Sequence, residues 1–416
     1  MEIAIIGLGE RGRMYAEYVL EMGAKIAAIV EPDQVKREKA QRELGISDER
    51  FYTNVDMFFA KGKIADALII STRDNLHYEM AMKALDLHYP LLLEKPISNR
   101  PAECIEIRDK AEKLGVPVTV CHVLRYAPFF SKIKKILESG ELGKVVTIQH
   151  TENIGNFHMA HSYVRGNWRR SDEAAPIILT KSCHDLDLLI WLTGSVPVSV
   201  ASFGNLTYFK KDNAPKGSAD RCMECGVSSN CRFDARKAYL PAIGQWPATV
   251  LTQDQTEEGL LKAINEGPYG RCVYKCDNDV CDHQVMIVNF ENGVTATFNL
   301  TAFSNRFSRT LKIMCEDGEI KGNLDMNVIE IVRYASNMVE TYNTESYYIG
   351  GPANGHGGGD KVMVKEFLNS INSGCEMNSS ISVSVASHVL AFAAEKARVT
   401  KTVVEIADFE KELIRG

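Results

Sequence analysis

The chain opens with a glycine pattern whose spacing suits dinucleotide binding. The motif G-x-G-x-x-G follows the apolar run EIAII and supplies the candidate contacts Gly7, Leu8, Gly9, Arg11 and Gly12. Glycines at these positions permit a tight turn and let the backbone approach a pyrophosphate at a helix N-terminus. Glu31 ends the second apolar run, where a carboxylate can accept the ribose hydroxyls and repel a 2′-phosphate. The pattern therefore predicts NAD, and not NADP, as the cofactor.

A lysine at the end of another apolar run is the second candidate group. Glu94, Lys95 and Pro96 follow PLLL, and a parallel sheet binds its ligands at the carboxyl ends of its strands. A lysine there can donate a hydrogen bond to a substrate hydroxyl, or move its proton as a general acid or base. The tripeptide alone is common on protein surfaces, so its meaning depends on the surrounding sequence.

A parallel sheet is needed to bring these groups together. Short runs rich in Val and Ile alternate with helix-like stretches; the runs are EIAIIG, AKIAAIVE, DALIIST, PLLLEK and VPVTVCHV. This alternation predicts a parallel sheet with helices on both faces, so that residues 1–124 form a Rossmann domain. A helix at 101–114 is expected, because Pro101 suits its first turn and Gly115 its end.

The pattern changes after residue 124. A helix is expected over roughly 174–193, and HQVMIVNF, the turn Glu291-Asn292-Gly293 and VTATFNLTAF predict a hairpin. RTLKIMC, EDG and EIKGNL predict a second hairpin. The fold class is therefore α/β, with a C-terminal α+β domain over 125–416 that contains a large, mostly antiparallel open sheet. An exposed face of such a sheet usually needs cover, so a homo-oligomer, either a dimer or a tetramer, is expected.

Composition narrows the classes of partner. The chain has 416 residues, which predicts two domains, and its 48 basic and 54 acidic side chains give a net charge of −6. This balance argues against nucleic acid or an anionic membrane as the main partner. The sequence has no apolar run of about 18 residues, and MEIAIIGLG does not resemble a signal peptide. A cytoplasmic location is expected.

Longer segments resemble the Gfo/Idh/MocA oxidoreductases, the family of glucose–fructose oxidoreductase and inositol dehydrogenase. In chain order, the resemblance covers the glycine motif, STRDNLH at 71–77, EKP, LESGELGKV and PIILTKSCHDLDLLIWLTG. It implies a cis-proline after a catalytic Lys95, a nicotinamide near Glu94 and Lys95, and a sugar or polyol substrate. Further cofactor contacts implied by the resemblance are Ser71, Thr72, Asn75, His77 and Arg125.

The resemblance also supplies a second catalytic residue. Family members carry a D-x-x-x-H pair that assists the lysine; here the histidine is His184, but Thr180 stands at the aspartate position. On one helix Thr180, Lys181, His184 and Asp187 would share a face, so Lys181 or Asp187 is a candidate to replace the carboxylate in part.

Substrate contacts are expected from both domains. The predicted contacts are Lys95, Tyr126, Tyr163, Trp168, Thr180, Lys181 and His184. Tyr163, Arg165, Asn167 and Trp168 form a polar and aromatic group of the kind that binds sugar hydroxyls and stacks on sugar rings. His356 and the glycines at 357–359 are expected to form a loop over the cleft without a chemical role.

Three functions fit these observations. The leading hypothesis is an NAD-dependent oxidoreductase that transfers a hydride between nicotinamide and a carbohydrate or polyol carbon. An alternative is an NAD-retaining glycosidase, which oxidises the sugar transiently, eliminates the aglycone and reduces the sugar again. A non-catalytic NAD-binding sensor is an alternative from another class, and the intact Lys95 argues against it.

Six cysteines stand in an irregular stretch at about 205–282. Cys222, Cys225 and Cys231 form one triplet, and a second triplet occupies 272–281. Triplets of this kind are typical of tetrahedral zinc sites, and zinc would hold together a segment that lacks a core. The expected ligands are Cys222, Cys225, Cys231 and Cys272. An iron–sulfur cluster and reduced, unliganded cysteines are the alternatives.

Overall fold

Six parallel strands form the N-terminal sheet in a computed structural model that describes residues 1–344 and 356–415. The strands are β1 (Glu2–Ile6), β2 (Lys25–Val30), β3 (Phe51–Tyr52), β4 (Ala67–Ile70), β5 (Leu91–Leu93) and β6 (Val118–Val120). The helices are α1 (Glu10–Glu21), α2 (Gln34–Leu44), α3 (Val55–Phe59), α4 (His77–Asp86) and α5 (Pro101–Leu114). The spatial order β3-β2-β1-β4-β5-β6 confirms the predicted Rossmann fold.

Burial explains why the sequence of this sheet reads as continuous apolar runs. Every residue of β4 and β5 is buried, because helices cover both faces of the sheet. Helix α5 begins at Pro101 and ends before Gly115, whose φ is 64°, as its sequence predicts. The sheet therefore brings the residues that follow β1, β2, β4 and β5 to one edge.

The second sheet has nine strands among the described residues. They are β7 (Val145–Asn153), β8 (Pro197–Asn205), β9 (His283–Phe290), β10 (Thr295–Thr301), β11 (Ser308–Cys315), β12 (Gly318–Asn323), β13 (Val328–Arg333), β14 (Met338–Asn343) and β15 (Val404–Glu405). Their order is β14-β13-β12-β11-β7-β10-β9-β8-β15, with β7 and β10 parallel and the other neighbours antiparallel. Both predicted hairpins, β9–β10 and β11–β12, are confirmed.

The helices of the second domain are α6 (Pro128–Glu138), α7 (Asn156–His158), α8 (Ile177–Thr180), α9 (Cys183–Thr193), α10 (Ala235–Tyr239), α11 (Ala248–Leu251), α12 (Glu257–Glu266), α13 (Gly359–Ser373), α14 (Ile381–Thr400) and α15 (Ile406–Arg415). Helices α6, α9, α14 and α15 pack on strands of this sheet. Helix α14 packs on α5, α9 and β8, while α13 packs on α1, so the end of the chain returns to the Rossmann domain. No helix in the two described ranges is long and apolar enough to cross a bilayer.

The prediction of one continuous helix over roughly 174–193 is wrong. The structure has α8 and α9 instead, separated by Lys181 and Ser182. The carbonyl of Ser182 accepts the first backbone hydrogen bonds of α9, from Asp185 and Leu186. Lys181 meanwhile turns towards the second sheet, where its Nζ lies 3.1 Å from Glu152 Oε1. Residues before and after this break therefore do not share one helical face.

Arg165 organises the segment 205–282 from its centre. Its side chain is only 1% exposed, and it donates hydrogen bonds to the carbonyls of Arg271 and Phe233, both at 2.8 Å. The expectation that Arg165 belongs to the substrate cleft is therefore not supported. Buried carbonyl acceptors and a packed aromatic group hold the segment; the aromatic members are Tyr208, Phe209, Phe233 and Tyr274.

The predicted zinc site at Cys222, Cys225, Cys231 and Cys272 is not supported. These thiols line one small cavity, yet nowhere in 1–344 or 356–415 do three or more His, Cys, Asp or Glu side chains form a group that could hold a metal ion. Nη2 of Arg165 lies 3.4 Å from the Cys222 sulfur, so a cation already occupies this side of the cavity. Burial also raises the pKa of the Cys222 and Cys272 thiols, which favours their uncharged form.

Candidate active site

The glycine motif forms the turn between β1 and α1, and the shape of this turn requires glycine. Gly7 has a φ of 92°, and a Cβ there would lie 2.8 Å from the Ser71 carbonyl oxygen. A Cβ on Gly12 would lie 2.0 Å from the Gly7 carbonyl oxygen. A Cβ on Gly9, by contrast, would meet no atom within 4 Å, so the space at the N-terminus of α1 is open. This cradle fits a dinucleotide pyrophosphate, which favours the positive end of a helix.

Glu31 lies beside the same turn and is 5% exposed. Its Oε2 accepts a hydrogen bond from the Leu8 N–H at 2.8 Å, and its Oε1 accepts one from the Asp33 N–H at 3.1 Å. Each carboxylate oxygen keeps a second lone pair for a ribose hydroxyl. A phosphate on that ribose would face a buried anion, which is the basis for expecting NAD.

The loop after β4 borders this cradle. Ser71 donates from its Oγ to the carbonyl of Gly7 at 2.9 Å and so supports the glycine turn. Thr72 is half-buried and Asn75 is exposed, so both stand at the open edge. His77 is fully buried between the carbonyls of Pro96, at 2.8 Å, and Thr72, at 3.2 Å. The predicted cofactor contact from His77 is therefore not supported, because its ring braces the chain instead.

Arg11 links the glycine turn to the strand that precedes Lys95. Its Nε donates to Glu94 Oε1 at 2.6 Å, and its Nη2 lies 2.7 Å from Asp360 Oδ1. The Tyr15 hydroxyl also donates to Glu94 Oε1, at 2.5 Å. Burial raises the pKa of Glu94, but the charges of Arg11 and Lys95 outweigh it and hold this pKa below its ordinary value. Glu94 is therefore an anion beside the predicted nicotinamide position.

The turn that carries Lys95 is fixed from two sides. The peptide bond between Lys95 and Pro96 is cis, as the resemblance implies. The N–H of Ile97 donates to His388 Nε2 at 2.9 Å, and His388 Nδ1 lies 3.2 Å from the Ser384 carbonyl. Because a backbone N–H only donates, Nε2 is the acceptor and Nδ1 carries the proton. His77 holds Pro96 from the opposite side.

Four imidazoles form a row beside Lys95. Ring centroids are 5.7 Å apart between His388 and His122, 5.8 Å between His122 and His184, and 5.5 Å between His184 and His356. His122 and His184 are buried, and no hydrogen bond in the described ranges reaches any of their ring nitrogens, with His122 Nε2 3.7 Å from Asp187 Oδ1. Burial, reinforced by the charge of Lys95, lowers the pKa of both rings. Each neutral ring can therefore donate to and accept from a ligand.

The residues expected to assist His184 are engaged elsewhere. Asp187 accepts hydrogen bonds from Nε and Nη2 of Arg125, both at 2.7 Å, so this carboxylate is already paired, and the cofactor contact of Arg125 stays a prediction. Lys181 pairs with Glu152, and Thr180 directs its hydroxyl to the Pro176 carbonyl at 3.5 Å. Lys181 and Asp187 therefore each already have a charged partner, and the substrate contacts of Thr180 and Lys181 stay predictions.

The aromatic candidates separate into two places. Tyr163 and Trp168 lie together with ring centroids 6.2 Å apart, but Tyr163 is only 4% exposed. Trp168 is 38% exposed, and its Nε1 donates to Asp74 Oδ2 at 3.2 Å across the two domains. Tyr126 is buried, with its hydroxyl 2.9 Å from the Ser379 Oγ, so its predicted substrate contact is not supported.

Sequence reasoning missed three of the four histidines in the row. His122 and His388 stand in apolar stretches, where a histidine carries no pattern that distinguishes a cleft from a core. His356 was expected to have no chemical role. Its one sequence signal is Asp360 four residues later, a spacing that places two side chains together on a helix.

Comparisons with known proteins agree with this geometry. Residues 1–122 match the GFO_IDH_MocA model, described as an oxidoreductase family with an NAD-binding Rossmann fold, and residues 134–406 match its C-terminal α/β domain. "Putative oxidoreductase YteT" of Bacillus subtilis is 24% identical, over 73% of this chain and 72% of its own length.

Two further similarities concern polyol and sugar enzymes. The scyllo-inositol 2-dehydrogenase (NAD⁺) of Bacillus subtilis is 27% identical over 49% of this chain, so the match spans only 57% of that relative. The solved structure of levoglucosan dehydrogenase, in complex with NADH and levoglucosan, has a TM-score of 0.74 at 14% identity. It covers 98% of this chain and 99% of its own, and it shows the shared fold.

A cofactor titration tests the assignment of Glu31. We expect NAD to bind more tightly than NADP, and Glu31→Ser to weaken NAD roughly tenfold or more, since hydrogen bonds to a charged group contribute about 1.5–3 kcal/mol. The difference between the two cofactors should narrow in the same variant. Glu38→Ser, at an exposed position on α2, is the matched control and should change neither affinity. Tighter binding of NADP than NAD by the unmodified protein would refute the assignment.

Proposed function

The chain belongs to the Gfo/Idh/MocA oxidoreductase family, and from this premise we propose that it transfers a hydride between NAD and a carbohydrate or polyol carbon. The observation that carries the proposal is the position of Lys95. It follows β5 at its carboxyl end, on a turn that His388 braces, and the preceding Glu94 bonds Arg11 of the glycine motif. The charge of Lys95 also lowers the pKa of the unpartnered His184 ring, so the two side chains are near each other. The cofactor and a hydroxyl group would therefore meet beside one lysine.

The chain's own residues would supply binding and proton transfer. Bound NAD supplies the hydride acceptor. Lys95 would hold the reacting hydroxyl and take its proton as the adjacent C–H bond breaks, the role of a general base. His184 would hold the same hydroxyl or its neighbour, because its neutral ring has one donor and one acceptor without a protein partner in the described ranges. Glu94 and Arg11 would keep the cofactor side of the cleft polar and fixed.

An uncharged, hydroxyl-rich substrate fits the groups that face the cleft. His122 and His184 are neutral rings, and each combines a donor with an acceptor as a hydroxyl does. Trp168, which is 38% exposed, offers an aromatic face on which the apolar face of a sugar ring can stack. These features favour a polyol or a sugar over a phosphorylated compound.

The division of the chain is part of the same proposal. Residues 1–124 would bind the cofactor, and residues 125–416 would bind the substrate and assemble the oligomer. All eleven cysteines are free thiols, which is typical of a reducing compartment and supports a cytoplasmic location.

Isotope transfer tests the proposed reaction. The protein is incubated with NAD and carbon-deuterated sugars and polyols, including myo-inositol, scyllo-inositol and glucose. For at least one compound we expect NADH to form, which is followed by its absorbance at about 340 nm, where reduced nicotinamide absorbs. Mass spectrometry should show that this NADH carries one deuterium. The unlabelled compound provides the mass control. No NADH from any compound, or release of nitrophenol from nitrophenyl glycosides without net NADH, would contradict hydride transfer to free NAD.

The open sheet supports assembly with a second copy. Phe203 on β8 pairs with Val285 on β9, and Ile287 lies two residues further along the same face. Phe203 is 62% exposed, Ile287 is 57% exposed and Val285 is 46% exposed. Helices cover the opposite face of the sheet. An apolar face of this kind on an antiparallel sheet usually packs against another surface.

Sedimentation tests the proposed homo-oligomer. We expect the unmodified protein to sediment as a dimer or larger assembly of the 46.3 kDa chain. Replacing Phe203→Glu and Ile287→Glu together should shift it towards the monomer, because two buried charges would have no partners. Val35→Glu, an exposed position on α2, should leave the assembly unchanged. A monomeric unmodified protein would contradict the proposal.

A further inference from the structure

His356 lies at the outer end of the histidine row. Its ring centroid is 5.5 Å from that of His184. The side chain of His356 is 26% exposed, whereas His122 and His184 are buried. Among the four rings of the row, and within the described residues, His356 is therefore the partly exposed ring that connects the buried His184 to solvent.

A fixed carboxylate orients His356. Its Nδ1 lies 3.2 Å from Asp360 Oδ2, and the other carboxylate oxygen of Asp360 lies 2.7 Å from Arg11 Nη2. Burial raises the pKa of Asp360, but hydrogen bonding by His356 and the charge of Arg11 outweigh it and hold this pKa well below its ordinary range. A carboxylate anion accepts, so Nδ1 carries the proton and Nε2 of His356 is left as an acceptor.

We propose that His356, oriented by Asp360, relays the substrate proton from His184 to solvent. The inference rests on the proposed hydride transfer, and it supplies the group that is missing at Thr180. His356 acts through His184, so it is a positioning and relay residue and does not contact the reacting carbon. The carboxylate comes from α13 and not from the helix that carries His184.

The proton balance of the reaction gives this relay its purpose. When an alcohol becomes a ketone, the C–H electron pair leaves as hydride to NAD⁺ and the hydroxyl loses one proton. Lys95 first passes its ammonium proton to His184 and then, as a neutral amine, takes the hydroxyl proton as the C=O bond forms. His184 gives a proton from its other nitrogen to His356, directly or through one water. His356 releases a proton to solvent, so each turnover yields one ketone, one NADH and one H⁺.

The groups around His356 allow it to exchange protons without keeping one. Asp360 on α13 favours the charged form of His356. Burial opposes that form, and so do the charges of Arg11 on α1 and of Lys95 after β5. His184 on α9 faces His356 as a neutral ring. The balance lowers the pKa of His356, with burial as the largest cause. A ring that is neutral at rest can accept a proton from His184 at Nε2. Because His356 is partly exposed, it can then release a proton to water.

His356→Asn separates the relay from a structural role. Asparagine can still donate to Asp360 from a position near that of Nδ1, but it cannot carry a proton. With the best substrate of the polyol panel, we expect kcat to fall about tenfold to a hundredfold, within the range of lost proton-transfer catalysis. KM and the affinity for NAD should change less than about twofold, and added imidazole should restore part of kcat, because neither the substrate nor the cofactor contacts are removed.

The control is His283→Asn. His283 also sits beside an aspartate, with its Nδ1 2.9 Å from Asp282 Oδ1, but it begins β9 and its ring packs against Phe303 and not against the histidine row. This variant should keep kcat. The relay would be overturned if His356→Asn kept its kcat, or if it lost kcat together with NAD affinity and did not respond to imidazole.

A measurement without turnover separates this inference from the proposed function. In ¹⁵N NMR of histidine-labelled protein, assigned by comparison with His356→Asn, we expect the Nδ1–H form of His356. Asp360→Asn should mix the two neutral forms, because it removes the anionic acceptor. Nε2–H as the resting form of His356 would overturn the relay. Absence of NADH formation from every polyol and sugar would instead contradict the proposed function.

Discussion

A hydrogen bond between two distant parts of the chain fixes the position of Lys95. The Ile97 N–H donates to His388 Nε2 at 2.9 Å across 291 residues, and both groups are buried. Burial lowers the pKa of His388 to about 3, so the ring is uncharged near neutral pH and Nε2 keeps the lone pair that this bond requires. A buried donor without a partner costs about 1–3 kcal/mol, so the turn and α14 hold each other in place. The cleft exists only when the end of the chain has packed back onto its beginning.

Buried ion pairs surround the cleft, and the imidazoles at its centre are neutral. Arg309 contacts Glu152 at 2.6 Å and Asp185 at 2.7 Å, and Arg125 contacts Asp187 at 2.7 Å, all five groups being nearly inaccessible to solvent. Removing one partner would leave an uncompensated buried charge, which costs several kcal/mol, about 3–5. These pairs therefore act as fixed walls and not as reacting groups. The neutral imidazoles beside Lys95 are the groups left to meet hydroxyls and to move a proton.

Sequence patterns predicted what is local and missed what the tertiary fold brings together. Both hairpins and the ends of α5 depend on neighbours within a few residues, and the chain displays those neighbours in order. The row from His388 to His356 joins four separate elements, and no spacing announces it. Cysteine spacing suggested zinc because the sequence does not reveal that the buried Arg165 reaches Cys222. Likewise, no spacing in the sequence reveals that Arg125 pairs with Asp187.

The central claim is that Lys95 moves the substrate proton, and replacement of this lysine tests it most directly. Single-turnover formation of NADH from the best substrate is compared for the unmodified protein, Lys95→Ala and Lys61→Ala, an exposed lysine after α3. The account predicts a loss of about two to four orders of magnitude for Lys95→Ala, the usual contribution of a general acid or base, with NAD affinity retained. Lys61→Ala should match the unmodified protein. A Lys95→Ala variant that transfers the hydride at the unmodified rate would contradict the account.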